Sequence, residues 1–197
     1  MNSPTRFVWV TFALLLSAAA AAAEIDGVTV PEHIHIGADS HKLTLNGAGV
    51  RMRLIFKVYV AALYLPAKMN NGEEILRNDQ PRRLMLYILR DLTSEQLTTS
   101  MSEALHETLT PAERLPLDSR MQQFNAIFAS LRDVKRGMQI AIDYVPKSGT
   151  TLLINGHEKG RIPGADFSQA LLRVWIGAYP KDPELRMALL GKSPGSK

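Results

Sequence analysis

The stretch from Leu45 to Pro66, LNGAGVRMRLIFKVYVAALYLP, constrains this chain more than any other. It shows no helical periodicity, and Val, Ile, Phe and Tyr crowd it, as a pleated, half-buried strand prefers. Successive strand residues face opposite ways. In steps of two from Met52, one side reads Met52, Leu54, Phe56, Val58, Val60, Ala62, Tyr64, apolar without a break. The alternate side reads Arg51, Arg53, Ile55, Lys57, Tyr59, Ala61, Leu63 and mixes cations and a phenol with apolar groups. The pattern predicts a long central strand with one dry face and one face able to meet a polar-headed ligand. A plain half-buried strand with solvated cations fits the same pattern.

The first 23 residues read as a secretory signal peptide. Arg6 supplies the positive start, Phe7–Leu16 the apolar run and Ser17–Ala23 the small residues before a cut at Ala23/Glu24. One domain over 24–191 and a frayed tail over 192–197 follow, which places the mature protein in the periplasm or outside the cell. No later stretch has the length and apolarity of a membrane span. The chain has no cysteine, which excludes disulfides, thiol catalysis and Cys-ligated metal. Without Arg6, 22 basic residues face 19 acidic ones, evenly spread, so net charge gives no reason to expect nucleic acid or an anionic membrane as partner.

The rest of the chain alternates between strand and helix patterns. Short strands are predicted around Pro31, where His33 and His35 share a face. Two histidines need a third metal ligand and none is suggested nearby, so they read as exposed strand residues. Asn46-Gly47 and Gly49 offer turn or bulge chemistry but no phosphate loop, because a strand and not a helix follows. A short helix is expected over 73–77 and a strand over 82–92. Thr93-Ser-Glu-Gln96 reads as a capping box opening a helix to about Leu109. A second helix runs from about Leu117 to Leu131 with Phe124 and Phe128 on its apolar side. Strands follow over 139–145 and 150–155, then a hairpin through Asn155-Gly156 returning to Pro163. Asp166 is expected to cap a helix to Ile176, and Asp182-Pro183 to open a last helix closed by Gly191. No βαβ rhythm occurs, so the fold class is α+β, a largely antiparallel sheet with helices on one face.

Gly47-Ala-Gly-Val-Arg51, then Phe56-Lys-Val-Tyr-Val-Ala-Ala-Leu-Tyr-Leu65, Leu92-Thr-Ser-Glu-Gln96, Trp175-Ile-Gly177 and Asp182-Pro183-Glu184-Leu185 occur in an order that resembles the chalcone isomerase superfamily, and most of all its exported bacterial chalcone isomerase-like members. The resemblance spans roughly Glu24 to Gly191. It implies an open-faced sandwich, a large antiparallel sheet under a layer of helices with a ligand cleft between them. True chalcone isomerases close a flavanone ring by attack of a phenolate on an enone. Their arginine after the Gly-x-Gly motif matches Arg51. Their strand threonine falls at Tyr59, their catalytic tyrosine at Leu97, their asparagine at Ala104 and their substrate-contacting Thr or Ser at Val174. Leu97 and Ala104 hold no donor to stabilise an oxyanion.

Arg51 with Tyr59 instead resembles the fatty-acid-binding branch of the superfamily, in which an Arg and a Tyr hold the carboxylate. A guanidinium fork and a phenol make charge-assisted hydrogen bonds to such a group. The reading is a binding protein, without catalysis, cofactor or metal, for a fatty acid or similar amphipathic carboxylate. Phe56, Leu97, Ala104, Phe124, Phe128, Val174 and Trp175 are the candidate cleft lining. An isomerase or intramolecular lyase using Tyr59 as acid is the alternative, and a structural envelope module without a cavity a third. In an unbroken strand Arg51 and Tyr59 stand about 26 Å apart. Joint action requires the chain to fold back near Met52-Arg53, where no obvious turn residue stands.

Overall fold

The computed structural model describes residues 22–131, 133–178, 180 and 182–192. Most of the expected signal peptide and of the tail lies outside these residues. Ala22 and Ala23, before the expected cut, belong to strand β1 (Ala22–Ile25), which pairs with β2 (Val28–Pro31) across an Asp26-Gly27 turn.

Seven strands form one curled antiparallel sheet. In chain order they are β3 (His33–Ile36), β4 (His41–Arg53), β5 (Phe56–Leu65), β6 (Arg82–Ile88), β9 (Gln139–Val145), β10 (Gly149–Ile154) and β11 (His157–Ile162). Across the sheet the order is β11-β10-β9-β6-β5-β4-β3, so nearly every neighbour is also a neighbour in sequence. Two-residue strands β7 (Leu92–Thr93) and β8 (Asp133–Val134) pair separately. The helices are α1 (Gly72–Arg77), α2 (Ser94–Thr108), α3 (Pro111–Arg114), α4 (Asp118–Ala129), α5 (Ala165–Ile176) and α6 (Pro183–Leu189), with a 3-10 turn over Leu115–Leu117. The α+β open-faced sandwich expected from the sequence is the observed fold.

Around β5 the sheet is covered on both faces. Ala61, Leu63, Leu84, Leu86 and Ile140 pack with Leu97, Phe124, Phe167 and Trp175 of the helices in the larger core. Val60, Ala62 and Tyr64 face a second cluster with Val30, Ile36 and Leu43, on which Ile25 and Val28 of the β1–β2 hairpin pack. Neither face of β5 is solvated there, because the amino-terminal hairpin covers the side that the helices leave open.

The single long strand expected over 45–66 is two strands. β4 and β5 turn back through Leu54-Ile55, with Arg53 opposite Phe56. Leu54 takes φ = 55°, the left-handed region that two-residue hairpins normally fill with Gly, Asn or Asp. The turn therefore carries no compositional mark. A β-bulge follows, since Arg51 faces Tyr59 whereas Met52 faces Lys57, which leaves Val58 as the extra residue. Without it Arg51 would face Val58 and Tyr59 would point to the opposite side. The bulge also reverses the face assignment at the tip. Phe56 joins the side of Tyr59, and Lys57 joins the side of Met52, where it pairs with Asp26 of the β1–β2 turn.

Several terminal signals act as expected. Thr93 and Gln96 make the reciprocal capping box of α2, each bond 3.1 Å. Asp182 caps α6 through Leu185 N at 2.9 Å. Asp166 does not cap α5. Gly164 occupies that position with φ = 104°, and Asp166, one residue inside the helix, is held by both Arg120 Nη atoms at 2.6 and 2.7 Å. The expected strand over 82–92 stops at Ile88.

Candidate functional site

Gly47, Gly49 and Arg51 alternate onto the face of β4 that meets α6. A Cβ at Gly47 would stand 2.0 Å from the Ala188 carbonyl oxygen, and one at Gly49 would stand 2.7 Å from Ala188 Cβ. The two glycines let α6 lie directly on the strand backbone. Asn46, the extra residue of a second bulge in the β4–β5 pair and this time on β4, clamps the far end of this contact. It donates to Leu189 O and accepts from Met69 N, each at 2.7 Å. Arg51 is the first large side chain on that face, and it emerges beside the amino terminus of α6. There its Nη1 donates to Asp182 Oδ2 at 2.9 Å, with the two side chains 22% and 16% exposed. The other oxygen of Asp182 is the cap of α6.

Directly across the ladder from Arg51, Tyr59 extends toward α5, and its hydroxyl oxygen accepts a 3.0 Å hydrogen bond from Trp175 Nε1. Among the described residues that hydroxyl donates to no acceptor. Burial pushes its pKa above the ordinary phenol value, against the opposing pull of the Trp175 hydrogen bond and the Arg51 charge. Tyr59 thus remains a neutral donor across the physiological range.

These groups line a cavity of about 290 Å³ between the sheet and the helices, just below the range of about 300–1,000 Å³ usual for small-molecule sites. Val58 and Leu86 form its sheet wall, and α2 contributes Leu97, Ser100, Met101 and Ala104, at the spacing of one helical face. Val174, Trp175 and Leu185 close it from α5 and α6, while Arg53, Leu54, Phe56 and Arg90 stand at the hairpin end. The hairpin thus brings Arg51 and Tyr59 together, and Phe56, Leu97, Ala104, Val174 and Trp175 line the same space. Phe124 and Phe128 do not. They stack edge-to-face with centroids 4.9 Å apart, and Phe124 meets Phe167 at 6.0 Å, inside the core. The α4 stripe that carries them is an interior face away from the cavity.

Sequence reasoning missed Asp182 as the partner of Arg51, since 131 residues separate them and its capping role fully explained it. It missed Ser100 as well, although a stripe extended from Leu97 to Ala104 contains it three residues after Leu97. His33 and His35 lie on the edge strand β3, where His33 Nδ1 and Thr44 Oγ1 are 3.2 Å apart, away from the cavity. No group of three or more His, Asp or Glu suited to a metal occurs among the described residues.

Fold and site together define an α+β protein with an apolar cavity between a curled antiparallel sheet and its helices, and with Arg, Tyr and Asp at the cavity's polar end. The chain belongs to the chalcone isomerase-like family, whose model matches residues 22–191. Among solved structures it is similar to a fatty-acid binding protein of Arabidopsis thaliana, at 20% sequence identity and a TM-score of 0.68, over 86% of this chain and 96% of that one. No curated protein matches the sequence.

Proposed function

We propose that this protein binds a fatty acid or a similar amphipathic carboxylate, without catalysis, in the periplasm or outside the cell. The observation that carries the reading is the cross-strand pair of Arg51 and Tyr59 at the polar end of a cavity that Leu97, Met101, Ala104 and Val174 wall with apolar groups. Tyr59 offers a buried donor with no acceptor among the described residues. Such a group costs free energy until something accepts from it. The Arg51 guanidinium has donors left beyond the one given to Asp182. A carboxylate satisfies both. Leu97, Ala104, Met101 and Val174 supply the dry wall that an acyl chain requires, and the fold likeness to a fatty-acid binding protein agrees with this chemistry. The secretory reading of residues 1–23 supports the location.

The test uses the chain expressed without its first 23 residues. Lipids extracted from the purified protein are identified by mass spectrometry, and the stripped protein is titrated with saturated fatty acids of increasing length by fluorescent-probe displacement. Affinity is expected to rise by about 0.8 kcal/mol, some fourfold, per methylene until the cavity is full. A folded protein that co-purifies with no lipid and displaces no probe overturns the reading.

A further inference from the structure

The tip of the β4–β5 hairpin breaks the rules that the other turns of this chain follow. Its turns at Asp26-Gly27 and Asn155-Gly156 place polar residues and glycine at positive φ, as tight hairpins prefer. At the β4–β5 tip the left-handed position is held by Leu54, which is 89% exposed, and its neighbour Ile55 is 83% exposed. Phe56 and Met52 flank them at 51% and 37%. An Asn-Gly turn would be easier to form and more soluble here, so Leu54 and Ile55 standing almost fully in water are a local cost.

Cations surround the patch. The Arg90 guanidinium lies 4.8 Å from the Phe56 ring centroid, and neither Arg90 nor Arg53 pairs with a carboxylate among the described residues. The nearby carboxylates of Asp26 and Asp182 are engaged by Lys57 and Arg51. Exposed apolar side chains ringed by unpaired guanidinium groups match a bilayer surface, whose acyl region takes the former and whose anionic headgroups take the latter. Arg53, Leu54 and Phe56 also border the cavity, so the patch and the cavity mouth are one surface.

We infer that the β4–β5 tip is a docking element for anionic lipid bilayers, which inserts Leu54, Ile55 and Phe56 between headgroups while Arg53 and Arg90 contact phosphates. Docking itself needs no cavity ligand. Its use as a route by which an acyl chain passes between bilayer and cavity rests on the proposed function.

The experiment uses ligand-free protein and vesicles of phosphatidylcholine with or without phosphatidylglycerol, read by co-sedimentation. The wild-type chain is expected to bind the anionic vesicles, and to bind less as phosphatidylglycerol is omitted or salt is raised. Met52→Gln with Ile55→Asn changes two tip residues that do not border the cavity. The double variant is expected to lose about tenfold or more in partitioning while its thermal midpoint and its fatty-acid affinity in solution stay at wild-type values. Absence of wild-type binding, equal binding to both vesicle types, or an unchanged partition of the double variant overturns the assignment. So does concentration-dependent dimerisation abolished by Ile55→Asn, which would give the tip to a second copy of the chain. Because vesicle binding and probe displacement are separate readouts, either proposal can fail alone.

Discussion

Asp182→Asn is expected to tighten the binding of carboxylates. Asp182 Oδ2 holds, at 2.9 Å, the same guanidinium that a ligand carboxylate needs. A ligand must either displace that oxygen or share Arg51 with it at the cost of like-charge repulsion, so removing the charge favours binding in both cases. A hydrogen bond to a charged group contributes about 1.5–3 kcal/mol, and the residual exposure of both side chains points to the lower half of that range. About 1.5–2 kcal/mol corresponds to roughly a 10- to 30-fold gain in affinity. Asn is as good a helix cap as Asp, so the bond from Leu185 N survives and α6 stays in place. The unliganded variant should lose about 1–2 kcal/mol in stability, because Arg51 is left half-buried without its partner. The assay is probe displacement with a fatty acid and with the alcohol of equal length. Only the acid should gain, and the added Arg51→Met change should abolish the gain. Unchanged or weakened carboxylate affinity, with α6 intact by hydrogen exchange, would refute the argument that Asp182 stands in for the ligand head group.

Tyr59→Phe removes the buried donor and should weaken carboxylate binding by about 1–1.5 kcal/mol. It also leaves Trp175 Nε1 without its acceptor, so the urea midpoint should fall, and titration calorimetry alongside denaturation separates the two effects. Gly47→Ala drives a methyl group into the Ala188 carbonyl and should cost about 3 kcal/mol or more, read as a lowered melting temperature with loss of the α6–β4 contact. Glu113 is held down to about 2 by Arg173 and by Thr110. Its folded pKa is below the unfolded value, so its contribution is present above about pH 4.5 and is lost as pH falls toward 2. Glu113→Gln should flatten that acid limb by less than about 1 kcal/mol, because the side chain is 44% exposed and solvent screens the pair.

The elements legible in the sequence were those that announce themselves locally. The Thr93–Gln96 capping box, the Asp182-Pro183 start of α6 and the Asn155-Gly156 hairpin each combine residue types that only one backbone geometry suits. The β4–β5 turn was hidden because its strain is borne by Leu54, and apolar alternation runs straight through it. Composition cannot mark a turn built from residues that tight turns ordinarily avoid. The site was half legible for the same reason. Arg51 and Tyr59 stand out as polar groups in an apolar run, but a shared face seemed to follow from odd numbering when it depends on the bulge at Val58. Phe124 and Phe128 were placed in the cleft because a helical stripe shows that a face is buried without showing what lies against it. Asp182 illustrates the limit set by distance along the chain, since nothing within its own helix requires a cation on its second oxygen.

The bulge at Val58 also divides the hairpin into two parts with different freedoms. On its inner side the register from Tyr59 to Tyr64 is locked by β6 as well as β4, so the anchor is held by the whole sheet. On its outer side only Met52–Lys57 and Arg53–Phe56 pair, and no third strand constrains them. Substitutions, insertions or changes of turn type at the tip can therefore reshape the entrance without moving the guanidinium and the phenol. Under the proposed function, a few outer residues then set what enters and from which surface, while Arg51 and Tyr59 stay in place.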